Sequence, residues 1–429
     1  MSVEKKVRAI LIGAGNRGTN YVTLAKENCP EFELVAIADA NPVRRDYVQE
    51  MYGLPDEACY DDFRELLAKP RVADLAIIAT QDKMHFEPAM LAIEQGYHIM
   101  LEKPVAPTPW ECVQIAEAAN KKGVFVCVCH VLRFSPFFRM IKTLIDEGRI
   151  GDIVQIMFAE RVGNAHMSHS YVRGNWRNSE TSSPIILAKN CHDMDMLQWL
   201  IGKKCTKVQS FGELSFFTRK NMPEGAPEFC VQGCPAADRC PYDARRIYLK
   251  DRMFSEHATN MKDPTDEDIL RAITETNYGR CVFQCDNNVA DHQVVNLEYE
   301  GGATVSFSMC AFNTGGRRIR IMGTKGEIIG NMSDEYVTLF DFMTRESEQV
   351  MISGAVQDET INGGHGGGDG GIVRSFVQFV AGEYEGKSIT DIDTSIESHL
   401  IAFAAEEARL TGKTIDIREF KEQFLNKIR

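Results

Sequence analysis

No run of apolar residues in the chain approaches the roughly eighteen that a membrane helix needs, so no membrane span is expected. Positive charge is also short. Lys and Arg number 48 against 61 Asp and Glu, a net charge of −13, which argues against a nucleic-acid or anionic-membrane surface but leaves room for a local basic pocket. Met1 leads after a few charged residues into an apolar strand pattern, so no signal peptide is expected. Neither an internal repeat nor a low-complexity linker interrupts the first 130 residues, and the zinc-ribbon spacing Cys-x2-Cys does not occur. Thirteen cysteines, an odd number and mostly inside apolar segments, fit reduced core thiols in a cytoplasmic protein. What remains is 429 residues with 44% hydrophobic and 25% charged, the composition of a globular chain long enough for two or three domains.

The most informative stretch stands near the start. Val7 to Ile12 reads as a buried parallel strand, and Gly13-Ala14-Gly15-Asn16-Arg17-Gly18 follows, opening a helical pattern towards Cys29. Glycine is needed at three places: Gly13 for a tight turn, Gly15 for close approach of backbone to a pyrophosphate, Gly18 for contact between helix and strand. The helix N-terminus then points free N–H groups at the phosphates. A second strand, Phe32 to Ala38, ends in Asp39, about twenty residues beyond the last glycine, where a carboxylate meets a ribose hydroxyl. Arg44 and Arg45 follow closely, within reach of a 2′-phosphate, but Asp39 would repel that group. NAD is therefore the expected cofactor and NADP the second choice.

Strand and helix keep alternating. Ala73 to Thr80 is a buried strand, leading through Gln81 to His85 into a helix that runs to Gln95. Tyr97 to Leu101 stops at Glu102-Lys103-Pro104, and a helix Pro109 to Lys122 and a strand Val124 to Cys129 complete a doubly wound pattern. A polar pair at the carboxyl end of a parallel strand lies where open α/β sheets bind ligands.

With Asp39, Ala79-Thr80, His85, Glu102-Lys103-Pro104, His130 to Phe134 and Cys191-His192-Asp193-Met194-Asp195, the glycine turn resembles the Gfo/Idh/MocA oxidoreductases over nearly the whole chain. The resemblance implies an α/β protein: a Rossmann dinucleotide-binding domain over residues 1–130, then a substrate-binding and oligomerisation domain over 131–429. The second domain would hold a large, mostly antiparallel sheet and make a homodimer or homotetramer. It also implies that Gly13, Gly15, Asn16, Arg17, Gly18, Asp39, Thr80, His85, Glu102 and Lys103 bind the cofactor, with Lys103 and His192 catalytic over the nicotinamide.

The second half fits by its own pattern. A helix is expected from Ser135 to Glu147 and another from Ile186 to Ile201. Strands are expected at Ile153 to Glu160, His292 to Glu300, Ala303 to Ala311 and Arg317 to Met322, with Gly301-Gly302 as a hairpin loop. Two amphipathic helices close the chain near Ile372 to Val380 and Ile396 to Leu410. The stretch from Thr218 to Asn288, within an insertion of about 218–290, is rich in Pro, Gly and charge and lacks clear periodicity. Its Cys230, Cys234 and Cys240, with Cys285 as a candidate fourth ligand, are expected to hold a structural zinc; an iron–sulfur cluster and unlinked thiols are the alternatives. In the glycine-rich run from Gly363 to Gly371, His365 and Asp369 suit a substrate-gripping loop, and a simple connector is the other reading.

Hydride transfer from a secondary alcohol needs a base for the hydroxyl proton and a positive group near the developing alkoxide. His192 suits the first role and Lys103 the second. Asn190, Asp193 and Asp195 around His192 are an unusual concentration of polarity for a buried helix. Inositol dehydrogenase-like members carry an aspartate four residues before this histidine; here that residue is Ala188. Lys189, roughly on the same helix face as His192, is expected to bind substrate instead, as is Arg133. Arg161, Trp176 and Arg177 are further candidates for the pocket of an acidic sugar. The implied activity is NAD(P)-dependent oxidation of a hydroxyl of a sugar, polyol or related carbohydrate-like substrate. A redox-type glycoside hydrolase and a non-catalytic NAD-binding sensor remain the alternatives.

Overall fold

The chain is seen as a computed structural model describing residues 6–355, 367–384, 386 and 388–425. Six strands, β1 (Val7–Ile12), β2 (Phe32–Ala38), β3 (Cys59–Tyr60), β4 (Leu75–Ile78), β5 (His98–Leu101) and β6 (Val126–Val128), form an all-parallel sheet in the order β3-β2-β1-β4-β5-β6. Their apolar runs are continuous because helices cover both faces. All four residues of β4 are buried, and so are all three of β6. The strand order reverses between β1 and β4, so a crevice opens at their carboxyl ends.

The second sheet has nine strands: β7 (Ile153–Arg161), β8 (Cys205–Glu213), β9 (His292–Tyr299), β10 (Thr304–Cys310), β11 (Gly316–Gly323), β12 (Gly326–Asn331), β13 (Tyr336–Asp341), β14 (Ser347–Met351) and β15 (Ile415–Asp416). They run in the order β14-β13-β12-β11-β7-β10-β9-β8-β15. Only β7 and β10 pair in parallel, so the sheet is mixed and mostly antiparallel, as expected. Gly301 and Gly302, at φ +82° and +87°, turn β9 into β10, a conformation that favours glycine twice in succession. Along β9, β10, β11 and β12 buried side chains alternate with more exposed ones. Ile156, Phe158, Val305, Phe307, Ile319 and Ile321 enter the core, while Met157, Val294 and Ile329 lie on the exposed face. Among the described residues no helix is long and apolar enough to cross a membrane.

Two expectations need correction. The single helix Ile186 to Ile201 is two, Ile185–Ala188 and Cys191–Ile201, broken at Lys189 and Asn190. The insertion, without clear periodicity in sequence, nevertheless has a core of its own. Ala244, Ile247, Tyr248, Ala258, Ile269 and Ile273 pack together, and Thr265 and Asp268 form a capping box on the helix Asp266–Glu275. Near the C-terminus, Ile372, Val373, Phe376 and Val377 of the helix Gly368–Ala381 share one core with Val7, Ala9, Leu11 and Tyr21. That helix returns to complete the first sheet's outer layer.

Candidate active site

The glycine turn has the shape a pyrophosphate needs. Gly13 sits at φ +92°, and a Cβ there would lie 2.7 Å from the Ala79 oxygen; one on Gly18 would lie 2.0 Å from the Gly13 oxygen. Gly15 differs, because a Cβ there would meet nothing nearer than an Arg44 nitrogen at 4.0 Å. Its open side leaves backbone N–H groups accessible at the start of the helix Asn16–Asn28. Asp39 is held in place by donations from Ala14 N to Oδ2 at 2.6 Å and Asn41 N to Oδ1 at 2.8 Å. An open cradle followed by an anchored carboxylate at the end of β2 fits a dinucleotide.

Arg17 points elsewhere. Its guanidinium donates to Glu102 Oε1 at 2.8 Å, to both Asp369 oxygens at 2.8 Å, and to the Tyr21 hydroxyl. It ties the glycine turn to β5 and to the returning helix Gly368–Ala381. His85 is a buried clamp rather than an open ligand: its ring nitrogens face Pro104 O at 2.7 Å and Thr80 O at 3.1 Å. Thr80 Oγ1 donates to Met84 O. Arg44 reaches Asn260 of the insertion, and Arg45 turns back to Asp39 O and Asp61.

Glu102 and Lys103 occupy the carboxyl end of β5. Burial alone would raise the Glu102 pKa, but Arg17 and Lys103 outweigh it and hold the carboxylate below its usual range. Glu102 also accepts from the Tyr21 hydroxyl at 2.5 Å and from Lys103 N at 2.7 Å. The Lys103 ammonium crosses to the second domain, donating to Ala188 O at 2.9 Å. The helix break makes this contact intelligible. The helix Ile185–Ala188 stops there, leaving a carbonyl whose acceptor capacity the ammonium takes up. Lys103 also lies 5.9 Å from the Trp176 ring, whose Nε1 donates to Asp82.

His192 lies in the first turn of Cys191–Ile201, buried to 4% exposure. Lys189 sits in the break, not on one continuous face with it, and its ammonium is 3.5 Å from Glu160. Burial lowers the Lys189 pKa and Glu160 offsets only part of that. Behind it, Arg317 on β11 pairs with Glu160, opposite it on β7, at 2.8 Å and with Asp193 at 2.7 Å. His166 borders the same cluster, held well below its ordinary pKa by burial and by Lys189. Glu160, His166 and Arg317 escaped sequence reasoning. Charged residues on alternating strands read as exposed until a neighbour's register covers them.

A second buried group backs the histidine. His130 lies with its ring 6.0 Å from that of His192 and 5.6 Å from that of His399. Arg133 does not line the crevice as a free cation, because its Nε and Nη2 are spent on Asp195 at 2.8 and 2.7 Å. Arg161 donates to Thr314, and Arg177 to Asp286 of the insertion. His365 lies outside the described residues.

The zinc set is not assembled as expected. All thirteen cysteines are free thiols, and among the described residues no three His, Cys, Asp or Glu side chains stand where one metal ion would be held. Cys285 donates to Cys281 O and is not among the residues that line the small cavity of Cys230, Cys234, Cys240 and Cys281.

Comparison with known proteins bears on this geometry. The oxidoreductase family GFO_IDH_MocA, described by its NAD-binding Rossmann fold, matches residues 7–130, and its C-terminal alpha/beta domain matches residues 142–417. The oxidoreductase YteT of Bacillus subtilis (strain 168) is 27% identical over 79% of this chain and 80% of its own length. The scyllo-inositol 2-dehydrogenase (NAD(+)) of the same organism is 26% identical over 49% of this chain and 59% of the enzyme. A levoglucosan dehydrogenase solved with NADH and levoglucosan superposes with a TM-score of 0.70 at 17% identity, covering 96% of this chain and 100% of the other; at that identity the likeness is one of fold.

Proposed function

The chain belongs to the Gfo/Idh/MocA oxidoreductase family, and from that premise we propose that it is an NAD(P)-dependent dehydrogenase acting on a hydroxyl of a sugar, polyol or related small molecule. The observation that carries this reading is the convergence of Lys103, from the end of β5, on the Ala188–Lys189 break just before His192. When bound, the nicotinamide supplies the hydride acceptor or donor. Gly13, Gly15 and Gly18 with Asp39 would hold the dinucleotide, and the Asp39 carboxylate favours NAD over NADP. His192 takes the hydroxyl proton, and Lys103 stabilises the negative charge that develops on that oxygen. Glu102 anchors the strand end from which Lys103 projects. Arg17 acts through Glu102 and Asp369 as a positioning residue.

Lys189 completes the substrate side. Its ammonium stands 3.5 Å from Glu160, which Arg317 also pairs with, and is the group we assign to an anionic or strongly hydrogen-bonding part of the substrate. Ala188 also keeps redox-type glycoside hydrolysis in view, because no carboxylate stands four residues before His192 to relay its proton. The two readings separate in one assay. Protein is incubated with NAD and sugars, sugar acids, polyols and aryl glycosides while reduced cofactor and released aglycone are both followed. Stoichiometric NADH supports the dehydrogenase. Aglycone release without net NADH replaces it with the hydrolase, and neither signal with any compound counts against both. We also infer that the exposed face bearing Met157, Val294 and Ile329 pairs subunits as a homodimer or homotetramer; a monomeric mass by light scattering would exclude that.

A further inference from the structure

Within the insertion, the segment from Arg252 to Asp263 holds its backbone where side chains rarely permit it. Of the five non-glycine residues at positive φ among the described residues, four lie here: Arg252 at 55°, Phe254 at 58°, Asn260 at 55° and Asp263 at 49°. Asparagine and aspartate tolerate this region, but arginine and phenylalanine are strained in it. Such backbone persists only where surrounding contacts over-determine it, and it gathers at ligand clamps and switch segments.

Those contacts stand at the two ends of one short helix, Ser255–Thr259. At its start the Phe254 ring stacks on His169 at 4.6 Å, and Tyr278 stacks on the same imidazole at 4.9 Å. Phe254 also lies 5.6 Å from the ring of His166, which borders the Lys189 cluster. At the helix end, Asn260 accepts from Arg44 Nη2 at 2.8 Å. Arg44 belongs to the first domain, in the first turn of the helix Pro42–Tyr52 beyond Asp39, and its Nη1 is the nearest atom to the open side of Gly15. One end of the segment therefore reaches the substrate side of the crevice, and the other reaches the glycine turn.

We propose that Arg252–Asp263 is a clasp over the dinucleotide: Phe254 anchors it to the second domain, and Asn260, through Arg44, latches it to the first. The inference rests on the cofactor reading above. A dinucleotide held at Gly15 and Asp39 and reacting beside Lys103 and His192 would lie along the stretch that this segment spans. The anchor is dry and aromatic, with His169 at 6% exposure, whereas Asn260 is exposed. The latch is thus the end that opens, and its opening governs cofactor exchange. Asn260 is neutral, so it holds Arg44 without cancelling the positive charge that a diphosphate would meet.

The test follows NADH release from the full chain, read as fluorescence lost when excess NAD displaces it. Hydrogen exchange of residues 252–263 is measured with and without NADH. Asn260→Gly removes the amide but keeps a residue that accepts positive φ. It should release NADH about threefold to tenfold faster, the weight of one hydrogen bond. Exchange in the segment should slow when NADH binds the wild type, and slow less in the variant. Should Asn260→Gly fail to fold, the wild-type exchange pattern decides alone. Release that is unchanged or slower, or a segment whose exchange ignores bound NADH, would overturn the clasp and leave the cofactor reading standing. A wild-type chain that binds no NADH would overturn both.

Discussion

Arg133→Met asks whether a buried arginine near the crevice serves the substrate or the fold. Methionine keeps a long apolar stem but removes both donors to Asp195, which is fully buried at 0% exposure. In the wild type, burial raises the Asp195 pKa, but Arg133 first and His130 next outweigh it, leaving the carboxylate below its ordinary range. Without Arg133, burial dominates and the folded-state pKa rises above that of the unfolded chain. Removing one partner of a buried pair costs about 3–5 kcal/mol, a large share of the roughly 5–15 kcal/mol that holds a domain together. The sign with pH follows from linkage. The penalty is full at neutral pH, where the unfolded carboxylate is charged, and shrinks as acid protonates Asp195 in both states. Urea titration at pH 7 and pH 4, at constant slope, measures it. Arg133→Met/Asp195→Leu, which removes both charges, should recover most of the loss. A destabilisation below about 1 kcal/mol at pH 7, together with a raised KM, would refute the reasoning and return Arg133 to the substrate.

Lys103→Ala and His192→Ala should each lower kcat at least about a hundredfold, the low end of general acid–base effects, while NAD affinity measured by fluorescence titration changes little; near-normal turnover of His192→Ala at neutral pH would remove it as the acid–base group. Lys189→Ala should raise KM more than it lowers kcat, and a substrate lacking any anionic group should feel the change less; equal losses in kcat for both substrates would argue against a binding role. His130 and His399 are held by burial at pKa values of about 4 and about 3, so the folded chain resists protons that the unfolded chain takes up near pH 6.5. Stability from these two is full above that pH and is lost on acidification, towards about 4 for His130 and about 3 for His399; thermal melts of wild type and His130→Gln should converge as pH falls from about 6.5 to about 4, and parallel curves would count against it.

The sequence was legible wherever the controlling physics is local. Glycine spacing from Gly13 to Gly18, the apolar runs of β1 and β4, Asp39 at the end of β2 and the Gly301-Gly302 hairpin are set by backbone sterics and by burial of nearby side chains. These mark a Rossmann sheet, its crevice and one hairpin of the second domain, whose large, mostly antiparallel sheet was what the family resemblance implied. Glu102 and Lys103 were equally visible, because a strand end marks its own position.

Tertiary structure decided what depends on distant partners. Arg17 reads as a cofactor contact by position, yet Asp369, 352 residues away, claims its guanidinium once the helix Gly368–Ala381 docks. The periodicity from Ile186 to Ile201 is continuous, but the Lys103 ammonium and the Glu160–Arg317 pair stabilise the helix break at Lys189 and Asn190 from outside. Cys281 rather than Cys285 reaches the cysteine cavity because the fold of the insertion, not sequence spacing, sets which sulfur arrives. Local pattern records which faces are apolar. Which charge meets which, across tens or hundreds of residues, is settled only when packed elements exclude water and leave each buried ion a few fixed partners to reach.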